Sequence, residues 1–442
     1  MTRTMKDSSI EWIGTIPNHW KIGKVKNWYK MNTGFTPDTQ KSYYYDDESG
    51  YDWVTISDMT KKLKFISDTK SKISKDYLIE KNPTISKKGS LLYSFKLSVG
   101  KVAFAGKDIY TNEAIASFLP ISNINLTFLF YSSSLIYGNA NTNIYGAKIL
   151  NSELILNAPI IYPPLPEQQA IANYLDDKCV EIDNLSSAIT EQIEILKQYI
   201  KSVITEVVTK GLNPNAPLKD SGVEWIGMIP ENWEVKPFEY ILKERSLKNN
   251  PIISSERLAL SIDKGITLYS EKTTNLDRFK DDVSLYKVVY PGDFVMNSMN
   301  MIVGAVGITP YLGCVSPAYY VFYDNDKKHI TARFCDYIFH SKTIRKYLFS
   351  IGKGIMAIER GDDRINTCRL KVSRYDLNKL KLPLPSINEQ SKIVNYLDNK
   401  CAQIDSVIKD KETQLETLAA YQKSLIYEYV TGKKEVPQLK EV

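Results

Sequence analysis

Histidine is scarce: His19, His329 and His340 are the three in 442 residues, and none sits in an HExxH or comparable spacing. That excludes the common imidazole metal sites and leaves little for imidazole acid–base catalysis. Cys179, Cys314, Cys335, Cys368 and Cys401 are odd in number and form no CxxC pair, so they read as reduced thiols rather than a zinc ribbon or disulfide framework. No run of about 18 apolar residues occurs, which excludes a membrane-spanning helix. The opening MTRTMKDSSIEW has no apolar signal core, so a soluble, cytoplasmic chain is expected. Walker A and GxGxxG loops are missing, as is any DPPY- or NPPF-type tetrapeptide of the kind placed beside a target base by amino-methylating enzymes. PPLP at 163–166 is only superficially similar, and the acidic DDESGYD at 46–52 lacks the following ExK of a nuclease.

What the chain does have is repetition. At 442 residues it is long enough for two to four domains. DSSIEWIGTIPNHW (7–20) returns as DSGVEWIGMIPENW (220–233), an offset of 213 residues. PPLPEQQAIANYLDDKCVEID (163–183) returns as PSINEQSKIVNYLDNKCAQID (385–405), an offset of 222. The unequal offsets mean that the intervening segments differ in length. Their middles share a fainter outline: KKGSLLYSFKLSVGKVAFAG (87–106) resembles YPGDFVMNSMNMIVGAVGIT (290–309), and NEAIASF (112–118) resembles SPAYYVF (316–322). Such β-branched and aromatic runs punctuated by glycine predict strands and turns.

The stretch after each NYLD has helical periodicity. Ile182, Leu185, Ile189, Ile193, Leu196, Ile200, Val203 and Val207 step by three and four, the spacing of a coiled-coil seam. The second copy keeps Ile404, Ile408, Leu415, Leu418, Leu425 and Tyr429, with Lys411 and Gln422 on the same stripe. Each helix, roughly 43 residues, would extend about 60 Å. Neither buries that stripe alone, so the two are expected to pack together. Matching segments EVVTKG (206–211) and EYVTGK (428–433) end them at glycine.

Charge follows the same division. Residues 161–212 carry eight acids and four bases, and 384–432 carry seven and five, so the overall +6 leaves +12 on the rest. Residues 330–382 hold twelve bases against five acids, including Arg333, Lys342, Arg345, Lys346, Lys353, Arg360, Arg364, Arg369, Lys371 and Arg374. In the first copy Lys61, Lys62, Lys64, Lys70, Lys72 and Lys75 cluster around Asp68. For a single lysine a solvated face is the plainer reading. Two basic globules alternating with acidic helices point instead to nucleic acid.

With EWIGxIPxxW opening each copy, PPLPEQQAIANYLD beginning the first helix and VTKGLNP closing it, the whole chain resembles the specificity (S) subunit of type I restriction–modification systems. The second copy departs by reading PSINEQ, keeping Pro385, Glu389 and Gln390. The resemblance implies an α+β architecture: two mixed α/β target recognition domains (1–160 and 213–383), separated by two long antiparallel coiled-coil spacer helices (161–212 and 384–432), a tandem pseudo-twofold repeat with a tail at 433–442. It implies a non-catalytic subunit that binds a bipartite, asymmetric target in double-stranded DNA. Two methyltransferase (M) subunits and the restriction/translocase (R) subunits would be its partners. It implies no cofactor in this chain: S-adenosylmethionine would belong to the M subunit, and ATP and Mg to the R subunit. A self-sufficient DNA methyltransferase or nuclease with an unrecognised site is the alternative, and a coiled-coil DNA-binding regulator a second.

Trp12, Ile13, Pro17 and Trp20, repeated as Trp225, Ile226, Pro230 and Trp233, read as packing of each entry segment. Turns at Gly100 and Gly304 would bring Ser94, Lys96, Asn297, Ser298 and Asn300 toward DNA, since Ser and Asn bond base edges and Lys serves bases or phosphates. A plain turn is the competing reading. Lys61, Lys62, Lys64 and Lys353 are candidate contacts from the basic clusters. Tyr145, Lys148, Arg360, Arg364 and Arg369 sit on the late loops NIYGAKIL (143–150) and IERGDDRINTCRL (358–370), which differ between the copies. Glu167, Gln168, Glu389 and Gln390 are candidates for binding M subunits, or for closing a helix N-terminus. Asp176, Lys178 and Cys179, with Asp398, Lys400 and Cys401, read as the first turns of matched helices rather than duplicated active sites.

Overall fold

The computed structural model describes residues 3–60, 63–96, 98–142, 148–262, 265–272, 282–325, 328–355, 359–360, 364–365 and 369–437. The chain divides into two compact units, Met1–Ala188 with Gln414–Val442 and Ile189–Thr413. The division cuts both long helices, so each unit owns one globule and one half of each helix.

In the first unit, strand β1 (Lys21–Lys24) leads to β2 (Met31–Thr33), β3 (Tyr51–Val54), β4 (Phe65–Ile66), β5 (Lys72–Ile73), β6 (Leu91–Ser94), β7 (Val102–Ala105), β8 (Tyr110–Thr111) and β9 (Ile115–Phe118). Helix α1 (Leu126–Ser132), β10 (Pro159–Tyr162) and the start of α2 (Leu165–Lys210) follow. The main sheet runs β2-β9-β6-β7-β4, with β8-β3-β5 as a smaller sheet and β10 paired to β1. Continuous apolar runs such as LLYS in β6 and IASF in β9 are buried on both faces, which their lack of alternation requires.

The second unit uses β11 (Glu234–Pro237), β12 (Lys243–Glu244), β13 (Phe294–Asn297), β14 (Val306–Ile308) and β15 (Tyr319–Tyr323). Then come α3 (Ile330–His340), α4 (Lys342–Ile351), β16 (Lys353–Ile355), β17 (Arg369–Lys371), β18 (Lys381–Leu384) and the start of α5 (Ile387–Val430). Its main sheet, β12-β15-β13-β14, has the strand order of β2-β9-β6-β7, and β11 pairs with β18 as β1 pairs with β10. The faint middle resemblance thus corresponds to one three-stranded antiparallel motif in each unit, with register Ile115↔Ser94 in the first and Asn297↔Tyr319 in the second.

Ile13, Pro17 and Trp20, and in the second copy Ile226, Pro230 and Trp233, are buried, whereas Trp12 is 37% exposed. Trp20 and Trp233 are both fully buried. Trp20 packs with Ile13, Ile171, Leu175 and Val430, and Trp233 with Ile229, Val208, Ile393 and Leu397. Each tryptophan therefore seals its globule against the beginning of one long helix and the end of the other. Gly211 (φ +75°) and Gly432 (φ +70°) follow the two helix ends in the left-handed region, where a side chain would be strained.

Within each unit the half-helices are antiparallel, because partner numbers fall on α5 as they rise on α2. In the first, the Tyr174 and Tyr429 hydroxyls are 3.2 Å apart and Gln422 donates to Asp183 at 3.2 Å. In the second, Lys411 donates to Gln192 at 2.5 Å and Lys400 lies 5.6 Å from the Tyr199 ring. The polar residues on the expected seam, Lys411 and Gln422, are thus bonded across it. One seam residue departs from expectation: Leu185 is 50% exposed, whereas Ile204, off the three-four stripe, is 8% exposed and packs in the core with Trp233. A straight helix drifts about 20° per heptad from a seven-residue repeat, so an apolar stripe rotates out of contact along its length.

Candidate nucleic-acid interface

Two features approach one another in the second unit. The β13–β14 turn closes through Gly304 (φ +98°), and the Val372 amide donates to the Ser298 carbonyl at 3.1 Å, just beyond β17. The turn and the late β16–β17 hairpin therefore adjoin. Arg345 fixes the turn from α4, donating to the carbonyls of Ile302 and Val303. Burial lowers its pKa from the ordinary guanidinium value, and this cation is spent on backbone rather than offered outward.

Around that junction Asn300 and Lys353 are exposed, while Asn297 and Ser298 are buried. The Asn297 side-chain oxygen accepts from the Met299 amide at 3.1 Å, so it shapes the turn. In the first unit the corresponding turn closes at Gly100 (φ +88°). There Ser94 is buried, donates to the Ser98 carbonyl at 2.6 Å and accepts from the Lys101 amide at 2.9 Å. Lys96 is exposed, 3.8 Å from Glu113, and Lys148 is exposed on a short strand paired with Asn141–Thr142. Lys61, Lys62 and Tyr145 lie outside the described residues. Arg360, Arg364 and Arg369 have strand backbone, with Arg360 opposite Arg364, but their side chains lie outside the described set.

Lys64 turns inward. Its ammonium is 2.5 Å from Asp176 on α2, and the same carboxylate oxygen accepts from the Tyr131 hydroxyl of α1 at 2.5 Å. The second unit repeats this arrangement: Asp398 on α5 accepts from the Tyr337 hydroxyl of α3 at 2.6 Å and from Arg333. Both tyrosine pKa values are pushed far up, first by burial and then by the bond to the aspartate, so both remain donors. Burial also raises Cys179 and Cys401 beside them, which keeps these thiols protonated. The aspartates of the repeated heptapeptide hold each globule onto its helix. This role was missed from the sequence because the tyrosines stand at unequal separations, 45 and 61 residues before their aspartates.

Glu167 and Glu389 receive the indole N–H groups of Trp20 and Trp233 at 3.0 and 2.9 Å. Burial works to raise the Glu167 pKa, but bonds from Trp20 and His19 and the charge of Arg3 outweigh it and hold the carboxyl below its usual value. Gln168 is fully buried, donating to the Pro163 carbonyl at 2.8 Å and accepting from the Asn125 amide at 3.2 Å. Gln390 is buried too and donates to the Pro385 carbonyl at 2.8 Å. The EQ pair of each copy is thus bonded inside its own unit.

Among the described residues no group of three or more His, Cys, Asp or Glu is arranged to hold a metal ion, and no helix is long and apolar enough to cross a membrane.

Residues 17–195 match the family model of the type I restriction modification DNA specificity domain. The putative type I restriction enzyme MjaX specificity subunit of Methanocaldococcus jannaschii is 26% identical over 454 residues, covering 95% of each chain. The EcoBI specificity subunit of Escherichia coli is 24% identical over 67% of this chain and 62% of its own. A solved chain from work on complex assembly and conformational transition of the type I R-M system shares the fold with a TM-score of 0.66 at 14% identity, covering 95% of this chain and 99% of that one. The domain model reaches only the first copy of the repeat, and the long alignments carry the likeness to type I restriction enzyme specificity subunits through the second.

Proposed function

We propose that this chain is the non-catalytic subunit that reads a split target in double-stranded DNA, one half-site per globule, and carries two methyltransferase subunits on its helices. The observation that carries this reading is that one strand order is written twice while the segments on it differ: the β6–β7 and β13–β14 turns and the late hairpins share place but not residues. A scaffold repeated with unlike surfaces suits two unlike half-sites. Direct contact is proposed for Lys96, Lys148, Asn300 and Lys353, and for Lys61, Lys62, Tyr145, Arg360, Arg364 and Arg369. Ser94, Asn297 and Ser298 would act by shaping the turns, and Lys64 by fixing the loop that follows Lys61 and Lys62. The chemistry would lie with the partners: S-adenosylmethionine and extrusion of the target adenine in the methyltransferase subunits, ATP and Mg in restriction subunits of a larger assembly.

Methylome sequencing with and without this gene tests the reading. A split adenine-methylated motif should vanish on deletion, and exchanging residues 30–155 for those of another specificity subunit should change one half only. A change in both halves refutes the assignment of one globule to one half-site. Methyl transfer to DNA by the purified chain with S-adenosylmethionine alone would establish the self-sufficient enzyme instead.

A further inference from the structure

Ser94 is the last residue of β6 and faces Ile115 across the sheet, and Asn297 is the last of β13 and faces Tyr319. The residue after each is buried, Phe95 in the first copy and Ser298 in the second. The residue after that is exposed in both, Lys96 in the first and Met299 in the second. One point of the scaffold thus offers solvent a cation in one globule and a thioether in the other. A single exposed apolar side chain is ordinary on a surface, so its surroundings carry the argument.

The second tip is held from several sides. The Asn297 side-chain oxygen accepts from the Met299 amide at 3.1 Å, and the Asn297 carbonyl accepts from the Asn300 amide at 3.0 Å. The Val372 amide donates to the Ser298 carbonyl at 3.1 Å, and the Tyr320 hydroxyl donates to the Val372 carbonyl at 3.2 Å. Met301 is fully buried on the far side of the tip. From 293 to 309 every residue other than Met299 and Asn300 is buried or half-buried. The fold therefore presents these two side chains together on a fixed backbone.

Beside the tip runs the β16–β17 hairpin, where Lys353 and Lys371 are register partners and both are exposed. Leu370 and Val372 are buried, so the alternation of the strand turns Lys371 outward. Like charges placed opposite one another work against strand pairing, and a polyanion laid over them relieves the repulsion.

Resting on the reading that the second globule reads one half-site, we propose that Met299 is a specificity-determining residue that packs on the C5-methyl group of a thymine in the major groove, with Lys353 and Lys371 gripping the adjoining phosphates. That methyl is the apolar feature of the groove edge, and a flexible, polarisable thioether adapts to it. Asn300, next along the tip, offers its amide to the edge of a neighbouring base. Lys96, at the equivalent point of the first globule, presents an ammonium suited to guanine acceptors instead. The two tips thereby make the halves of the target unlike at one defined position.

The test uses the full chain in complex with its methyltransferase subunit, and duplexes carrying the motif found by methylome sequencing. Within the half-site that exchange of residues 30–155 leaves unchanged, each thymine is replaced in turn by deoxyuridine, which lacks only the methyl group. For wild type one replacement should weaken binding by about fourfold, the worth of one buried methyl group. Met299→Ala should bind the thymine and deoxyuridine duplexes equally, whereas Met299→Leu, which keeps an apolar side chain, should still tell them apart. Lys371→Ala should weaken binding to both duplexes alike and lower the salt slope by about one, leaving their difference in place. A folded Met299→Ala complex that still discriminates, a wild type indifferent to every replacement, or a half-site without thymine overturns the role of Met299 and leaves the functional reading standing. A methylome unchanged by deletion of the gene overturns both.

Discussion

Replacing Asp398 by alanine removes the carboxylate that Tyr337 and Arg333 share. The Tyr337 hydroxyl donates at 2.6 Å to an ionised acceptor in partly buried surroundings, a bond worth about 1.5–3 kcal/mol. Arg333 and Asp398 are 38% and 36% exposed, so solvent screening leaves their ion pair at roughly 0.2–1 kcal/mol. Together these predict a loss of about 2–3 kcal/mol. Asp398→Asn, which keeps an acceptor for Tyr337 and loses the charge, should cost about 1 kcal/mol. Urea denaturation of the variants, followed by hydrogen exchange of the α3 peptides, measures the loss and locates it. A cycle with Tyr337→Phe should give a coupling of roughly 1–2 kcal/mol, since the two residues meet in one bond. Zero coupling, or an alanine variant within about 0.5 kcal/mol of wild type, would refute the claim that this aspartate fastens the globule to its helix.

Gly304→Ala should destabilise the second unit by about 1–2 kcal/mol, because φ of +98° disfavours a side chain and the new methyl would lie 3.3 Å from the Arg345 guanidinium. Gly307→Ala, whose methyl would meet ordinary contacts at 3.6 Å and beyond, should be near neutral in the same thermal melts. Glu167 has a folded pKa below its unfolded value, so its contribution is full above the ordinary glutamate range and is lost as pH falls through the depressed folded pKa. Hydrogen exchange of residues 3–20 should therefore accelerate on acidification through that window, and Glu167→Gln should remove the pH dependence; an unchanged profile in that variant would exclude Glu167 as its source. Asp176→Ala should release α1 in the first unit as Asp398→Ala releases α3 in the second, read by the same exchange experiment.

The repeat made the architecture readable because the same physical demand was met twice. Burial of Trp20 and Trp233 requires the same entry segment on both occasions, and the sequence repeats it nearly letter for letter. The strands around Gly100 and Gly304 were recognisable for a related reason: a tight turn closing at positive φ keeps its glycine while its neighbours drift. The candidate contacts were less readable, because charge alone does not say where a side chain points. Arg345 and Lys64 belong to basic runs in the sequence, yet one is bound to backbone carbonyls and the other to Asp176. Nor did the EQ pairs announce that their partners were the tryptophans of the entry segments, some 147 and 156 residues away.

Leu185 carries the same lesson in the opposite direction. A three-four stripe places it in the seam, yet it stands half exposed, and read alone it would be one misassigned leucine. Its counterpart Val407 lies off the expected stripe, on which the second copy places Ile408, and is 44% exposed. The three-four rule places Leu185 on a helix face, whereas the drift of about 20° per heptad between a straight helix and a seven-residue repeat decides where along the helix that face meets its neighbour.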